Sequence, residues 1–254
     1  MLITFSLPNG KEVTVKQFLY KHIRELILQG DCHASKLEFL ESFILTKNLN
    51  VIEKFITLLM LREKCVKDTT PMDLDGADKD VSLRYIRKSF EEFLDIKSEV
   101  TVNNIELTLD YPSKFCINTN YLLSIIREVK IEDQSINLDT LSEEEFIQVI
   151  NQLPADILKT VDDFVTDKQQ AFIFPLLQGK ANSVEINFLT PSPFQFIDSI
   201  FGCLDEPIYR EYLFILSKRI PDVNFLINSP LSDLLDYLDL YKKESDEENE
   251  KLKK

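Results

Sequence analysis

The sequence predicts an α+β fold, predominantly helical, with two β-hairpins packed on helices in the N-terminal half and a helical C-terminal half. Three observations carry that expectation. Two short stretches alternate apolar with polar residues on both sides of turn-forming residues, the pattern of a hairpin. Elsewhere apolar residues recur at i, i+3, i+4 spacing behind residues that cap helices. Finally, 44% of the 254 residues are hydrophobic and 18 are Phe, enough for a substantial core.

The first hairpin sets Ile3, Phe5 and Leu7 against Thr4 and Ser6, turns at Pro8-Asn9-Gly10, and resumes with Val13 and Val15. A helix from Lys16 to Gln29 follows, with Leu19, Ile23, Leu26 and Ile27 on one face and Gly30 as its stop. Ser35 with Glu38 has capping-box spacing ahead of Leu37, Leu40, Phe43 and Ile44. Asn50 with Glu53 repeats that spacing before Val51, Ile52, Phe55, Ile56, Leu59 and Met60, an apolar helix expected at the centre of the fold. Residues 67–80 form the longest polar break and read as a mobile connection. A helix from Leu83 to Leu94 leads to the second hairpin, in which Val100 and Val102 turn through Asn103-Asn104 into Ile105, Leu107 and Leu109, closed by Pro112.

Beyond Pro112, Asn118 or Thr119 caps an expected helix to Val129, and Ser142 with Glu145 caps another to Gln152. Pro154 stands at a first-turn position, opening a helix towards Phe172. Ser183 to Leu189 alternates as one further strand, and helices follow over Ser192–Cys203, Pro207–Arg219 and Pro230–Lys243. The organisation expected is a hairpin-plus-helices lobe (1–130), a mainly helical lobe (131–243) and a charged disordered tail (244–254).

Composition narrows the function. A net charge of −14 opposes nucleic acid as the main partner, because phosphate binding needs a basic footprint. The charge is uneven: residues 1–70 hold 10 basic and 8 acidic groups, and the remainder is acidic. No run of 18 apolar residues predicts a membrane span, and the opening residues do not read as a secretory signal. Cys32, Cys65, Cys116 and Cys203 are dispersed and read as reduced, buried thiols.

Only five glycines and two histidines leave little for a phosphate cradle or proton relay. Asp73, Asp75 and Gly76 suggest a calcium loop, but aligning the glycine puts Pro71 and Ser82 where carboxylates belong. Cys32-His33 with Cys65 lacks the second ligand pair of a zinc site, and His22 lies on the polar side of its helix. Glu143-Glu144-Glu145 fills a helix's first turn, where carboxylates complement the macrodipole. No catalytic, cofactor-binding or metal-binding residue is therefore assigned. Leu231, Leu234, Leu235, Leu238 and Tyr241 form a stripe opposed by Asp233, Asp236 and Asp239; this face either completes the core or docks in a partner's groove.

The opening Ile-Thr-Phe-Ser-Leu-Pro-Asn-Gly-Lys-Glu-Val, the helix end Leu61-Arg62-Glu63-Lys64-Cys65 and the strand Ile105-Glu-Leu-Thr-Leu-Asp-Tyr-Pro112 together resemble the baseplate hub assembly proteins of T-even-type bacteriophages. The likeness covers residues 1–130 and reaches the remainder in general character only. It implies a chaperone-like, non-catalytic assembly factor for the tail baseplate hub, with hub or tape-measure proteins as partners. It also implies action in the host cytoplasm. The alternatives are a structural hub subunit retained in the virion, an acidic inhibitor of a basic protein, and an enzyme with an unrecognised carboxylate site.

Overall fold

The computed structural model describes residues 1–74, 77–116, 122–132, 134–178, 183–202 and 206–252. Strands β1 (Leu2–Ser6) and β2 (Glu12–Lys16) pair antiparallel around Gly10, whose φ of 82° is one that glycine adopts without strain. Helices α1 (Tyr20–Leu28), α2 (His33–Glu41) and α3 (Val51–Cys65) follow. The sequence stretch from Lys16 does not join α1, because the Lys16 N–H bonds the Phe43 carbonyl and extends the β2 edge. Helix α2 starts before Ser35, with Cys32 at its N-cap, so the Ser35–Glu38 spacing lies inside the helix.

Helix α3 is the axis of the molecule: eleven of its fifteen residues are buried. Its N-terminus is closed reciprocally, the Glu53 N–H donating to Asn50 Oδ1 and the Asn50 N–H to Glu53 Oε2, both at 3.0 Å.

The expectation of two hairpins in the N-terminal half and a mainly helical C-terminal half with one further strand is overturned. The class remains α+β, but the described residues hold ten strands in four antiparallel sheets. The polar break at 67–80 is itself a hairpin, β3 (Thr69–Leu74) with β4 (Ala77–Ser82). Its sequence is largely polar, so no apolar alternation marks the strands; Thr70 and Val81 are buried and Met72 packs against the core. Helix α4 (Leu83–Ser89) yields to a 3-10 turn at Glu91–Phe93 rather than continuing to Leu94.

The second hairpin, β5 (Ser98–Val102) and β6 (Ile105–Leu109), turns through Asn103 and Asn104 at φ 49° and 66°, as a type I′ turn demands. It belongs to a four-stranded sheet, β5-β6-β7-β8, completed by β7 (Ile126–Ile131) and β8 (Gln134–Asn137). The helix expected to Val129 is thus a 3-10 turn at Leu122–Ile125 followed by a strand; its proposed caps, Asn118 and Thr119, lie outside the described residues. The cause is a register shift at Thr108/Leu109, where Leu109 pairs with Ile126 and Thr108 with Glu128. That irregularity buries Ile126 and Val129 together, three residues apart, and so imitates helical periodicity.

A 3-10 turn at Leu138–Thr140 leads to α5 (Glu143–Gln152), α6 (Ala155–Asp167, with Pro154 as N-cap) and α7 (Gln169–Phe172). A further hairpin, β9 (Ile173–Gln178) with β10 (Ser183–Asn187), interrupts the helices. The last elements are α8 (Ser192–Phe201), α9 (Glu206–Ser217), α10 (Val223–Ile227) and α11 (Leu231–Leu252), which carries on through the charged segment.

One hydrophobic cluster runs from Leu7 to Leu234. At its centre the Phe55 ring meets Phe90, Phe188 and Phe196 at 5.3, 5.5 and 6.0 Å, joining α3 to β10 and α8. Buried polar groups add directional ties. Tyr20 Oη donates to the Tyr209 carbonyl at 2.6 Å, and Tyr111 Oη to that of Ala171 at 2.6 Å. Arg62, 2% exposed, donates Nε to the Ile200 carbonyl at 2.7 Å and Nη1 to that of Lys67 at 2.6 Å.

Candidate functional site

Of the five residues read as a partner-binding stripe, Leu231 and Leu234 are 1% exposed and belong to the core. Leu235 and Leu238 pack partly against it, and the Tyr241 ring lies 5.3 Å from the Arg219 guanidinium. The opposite side of α11 presents Asp233, Asp236 and Asp239 to solvent together with Tyr237 and Leu240, the latter 57% exposed. On α9, Phe214 is 63% exposed under the Lys218 ammonium. Periodicity found the helix and its buried side; the exposed apolar residues fall outside the stripe, and burial alone distinguishes them.

The residues considered for chemistry are dispersed. His33 lies 3.6 Å from Asp198, which also takes Lys36 at 3.1 Å, and its ring meets Phe194 edge-on. Cys32 is exposed and accepts from Ser35 Oγ at 3.2 Å, which lowers its pKa; Cys65 is buried, which raises its own. Cys203, Asp75 and Gly76 lie outside the described residues. Among the described residues no three metal-ligating side chains gather. His22 is not solvated as expected. Its ring sits 5.6, 6.4 and 4.8 Å from Phe18, Phe39 and Phe43, and Nδ1 accepts the Leu19 N–H at 2.9 Å. Burial, followed by the nearby Lys21 and Lys16, lowers its pKa to about 4.

A polar cleft of about 260 Å³ opens where the β1–β2 turn, the α3 N-terminus and the four-stranded sheet meet. Glu53 is its hub: Oε1 accepts from Asn9 Nδ2 at 3.0 Å, and Oε2 from Lys11 Nζ at 3.0 Å. Lys11 Nζ also donates to the Asn48 carbonyl at 2.8 Å. Across the cleft, Arg127 binds Asp139 through Nε at 2.7 Å and through Nη2, and donates Nη1 to the Tyr111 carbonyl at 2.7 Å. Asp110 accepts the Tyr111 N–H at 2.7 Å, and burial raises its pKa. These groups already satisfy one another, so the cleft works first as a cross-tie. Only the Asn50–Glu53 part was legible in the sequence; Asn9–Glu53 and Arg127–Asp139 join residues without local spacing.

The three stretches behind the family likeness converge on α3. Asn9 reaches Glu53 at the helix's first turn, the Val51 N–H donates to the Pro112 carbonyl at 2.7 Å, and Arg62 ties its last turn to α8. Fold and ties together define an α+β protein assembled around one buried, capped helix. The chain belongs to the family described as T4 bacteriophage base plate protein, whose model matches residues 1–178. That match passes beyond the 1–130 segment on which the likeness rests and ends with β9. No curated protein and no solved structure matches the chain. No helix among the described residues is long and apolar enough to cross a membrane.

Proposed function

We propose that this baseplate-family protein is an assembly factor for the baseplate hub, acting through protein–protein contacts and without catalysis. The observation that carries the reading is family membership over residues 1–178. What supports contact over chemistry is the use already made of reactive groups: His22 is enclosed by aromatic rings, and the cleft's carboxylates are matched to Lys11 and Arg127. The client surface is the outer side of the C-terminal helices. Leu231 and Leu234 anchor α11, Leu235, Leu238 and Tyr241 border the surface, and Tyr237, Leu240 and Phe214 supply exposed apolar contact. Asp233, Asp236 and Asp239 favour a basic, apolar segment of a hub or tape-measure protein.

Affinity capture of the tagged full chain from infected cells, beside a Tyr237→Ser/Leu240→Lys variant, tests the surface. Recovery of a tail protein by the wild type and its loss in the variant are expected. Equal recovery by both would sink the assignment. The second reading, a subunit retained in the baseplate, is favoured by the same membership. Mass spectrometry of purified virions separates the two, since a transient factor is absent from the finished particle.

A further inference from the structure

Strands β1 and β2 form a two-stranded sheet whose two edges differ. The Gln17 N–H donates to the Met1 carbonyl at 3.0 Å and the Leu7 N–H to the Lys11 carbonyl at 2.9 Å. With the register Ile3↔Val15 and Phe5↔Val13, the odd-numbered residues of β1 are the ones hydrogen-bonded to β2. Leu2, Thr4 and Ser6 therefore aim their N–H and C=O groups away from it. On the β2 side the outward groups at the centre and C-terminal end of the strand are occupied. The Lys16 N–H bonds the Phe43 carbonyl, the Thr14 carbonyl accepts the Leu45 N–H, and the Thr14 N–H bonds Thr46 Oγ1. On the β1 side, no hydrogen bond among the described residues reaches the outward groups.

Bare edges are ordinarily protected by charge, proline, a bulge, short length or a covering element. The edges of the four-stranded sheet follow this rule: β5 carries Glu99 and lies against α6, and β8 is four residues long. Strand β1 has none of these devices. Its register runs without a shift, and no ionisable side chain or proline lies between Leu2 and Ser6.

We infer that the outer edge of β1 is a dimer interface, pairing antiparallel with β1 of a second copy of this chain about a two-fold axis at Thr4. The five residues are self-complementary in that register. Thr4 faces Thr4 and Leu2 faces Ser6 as hydrogen-bonded pairs, so every outward backbone group of Leu2, Thr4 and Ser6 finds a partner. On the face turned to the core, half-buried Ile3 meets Phe5 of the second copy, and Phe5 meets its Ile3, covering apolar surface that each copy leaves partly open. Charge favours the same place. In a chain of net charge −14, residues 1–10 carry no charged side chain, so pairing β1 with β1 opposes no like-charged side chains within the strand. The contact is isologous and closes at two.

Sedimentation velocity of the full chain over roughly 1–200 μM should show a reversible dimer. Thr4→Lys, which opposes like charges at the axis, should weaken it roughly tenfold or more, and Thr4→Glu likewise. Mixing the two variants should restore a one-to-one heterodimer. Hydrogen exchange on the wild type gives a readout independent of any substitution. Amides of Leu2, Thr4 and Ser6 should gain protection as concentration rises, whereas those of Ile3 and Phe5 are protected throughout. A wild-type monomer across the range, a dimer indifferent to both substitutions, or exchange at Thr4 independent of concentration would each overturn the inference.

Discussion

Helices α3 and α11 are the two longest among the described residues, and they are held by different forces. In α3 eleven of fifteen residues are buried, and both ends are tied to distant elements through side-chain hydrogen bonds, from Asn9 to Glu53 and from Arg62 to the Ile200 carbonyl. In α11, with 22 residues, Leu231 and Leu234 are fully buried at the first turn and contact thins beyond them. From Lys242 to Asp246 the side chains are mostly exposed, so this stretch of the helix leans on local helix preference more than on packing. One helix organises the fold and the other presents a surface. Substitutions should therefore fall into two groups, with the steepest losses around α3.

The largest expected effect is Phe55→Ala. Its ring joins Phe90 to Phe188 and Phe196, so truncation opens a cavity between α3, β10 and α8. A loss of about 3–5 kcal/mol in urea unfolding is expected. A loss below about 1 kcal/mol would mean that the aromatic cluster does not join these elements as described. Next comes Arg62→Met, which keeps an apolar stem but removes the donors to Ile200 and Lys67. Charge-assisted bonds lost at a buried site cost about 2–3 kcal/mol in the same experiment. Arg62→Lys, with a point charge in place of a planar fork, should recover only part of this.

The same contrast explains how much the sequence discloses. Helix α3 was legible because its apolar circumference and its Asn50–Glu53 cap are local signals. The β5–β6 hairpin was legible because Asn103 and Asn104 tolerate positive φ. Strand β7 was hidden because the register shift placed Ile126 and Val129 at a spacing that helices also use. The β3–β4 hairpin was hidden because its polar sequence shows no apolar alternation, and β9 because it runs on directly from α7 and contains Pro175. The ties around α3 were illegible for another reason: Asn9 and Glu53, or Arg62 and Ile200, meet only once the chain has folded.

A smaller effect concerns pH. Burial lowers the His22 pKa to about 4 from an ordinary 6.5, so between those values the unfolded chain binds the extra proton. The linked stability is complete above pH 6.5, falls as pH drops through this window, and levels off below about 4. His22→Gln should flatten that part of the profile relative to wild type. Parallel melting curves at pH 7, 6, 5 and 4 check it, and identical slopes would place His22 in solvent.

The smallest effect is expected at Leu240, and its smallness is informative. Leu240 is 57% exposed on the side of α11 away from Leu231 and Leu234, so Leu240→Ser should alter stability by no more than about 0.5 kcal/mol. Leu234→Ala, two turns earlier on the same helix, removes a fully buried side chain and should cost about 2–4 kcal/mol. Urea unfolding of both variants measures the division directly. If Leu240→Ser destabilised the fold as much as Leu234→Ala, the outer side of α11 would be serving the core and would be unfit to meet a client. If the two differ as expected, Leu240 is an apolar residue that the monomer does not require.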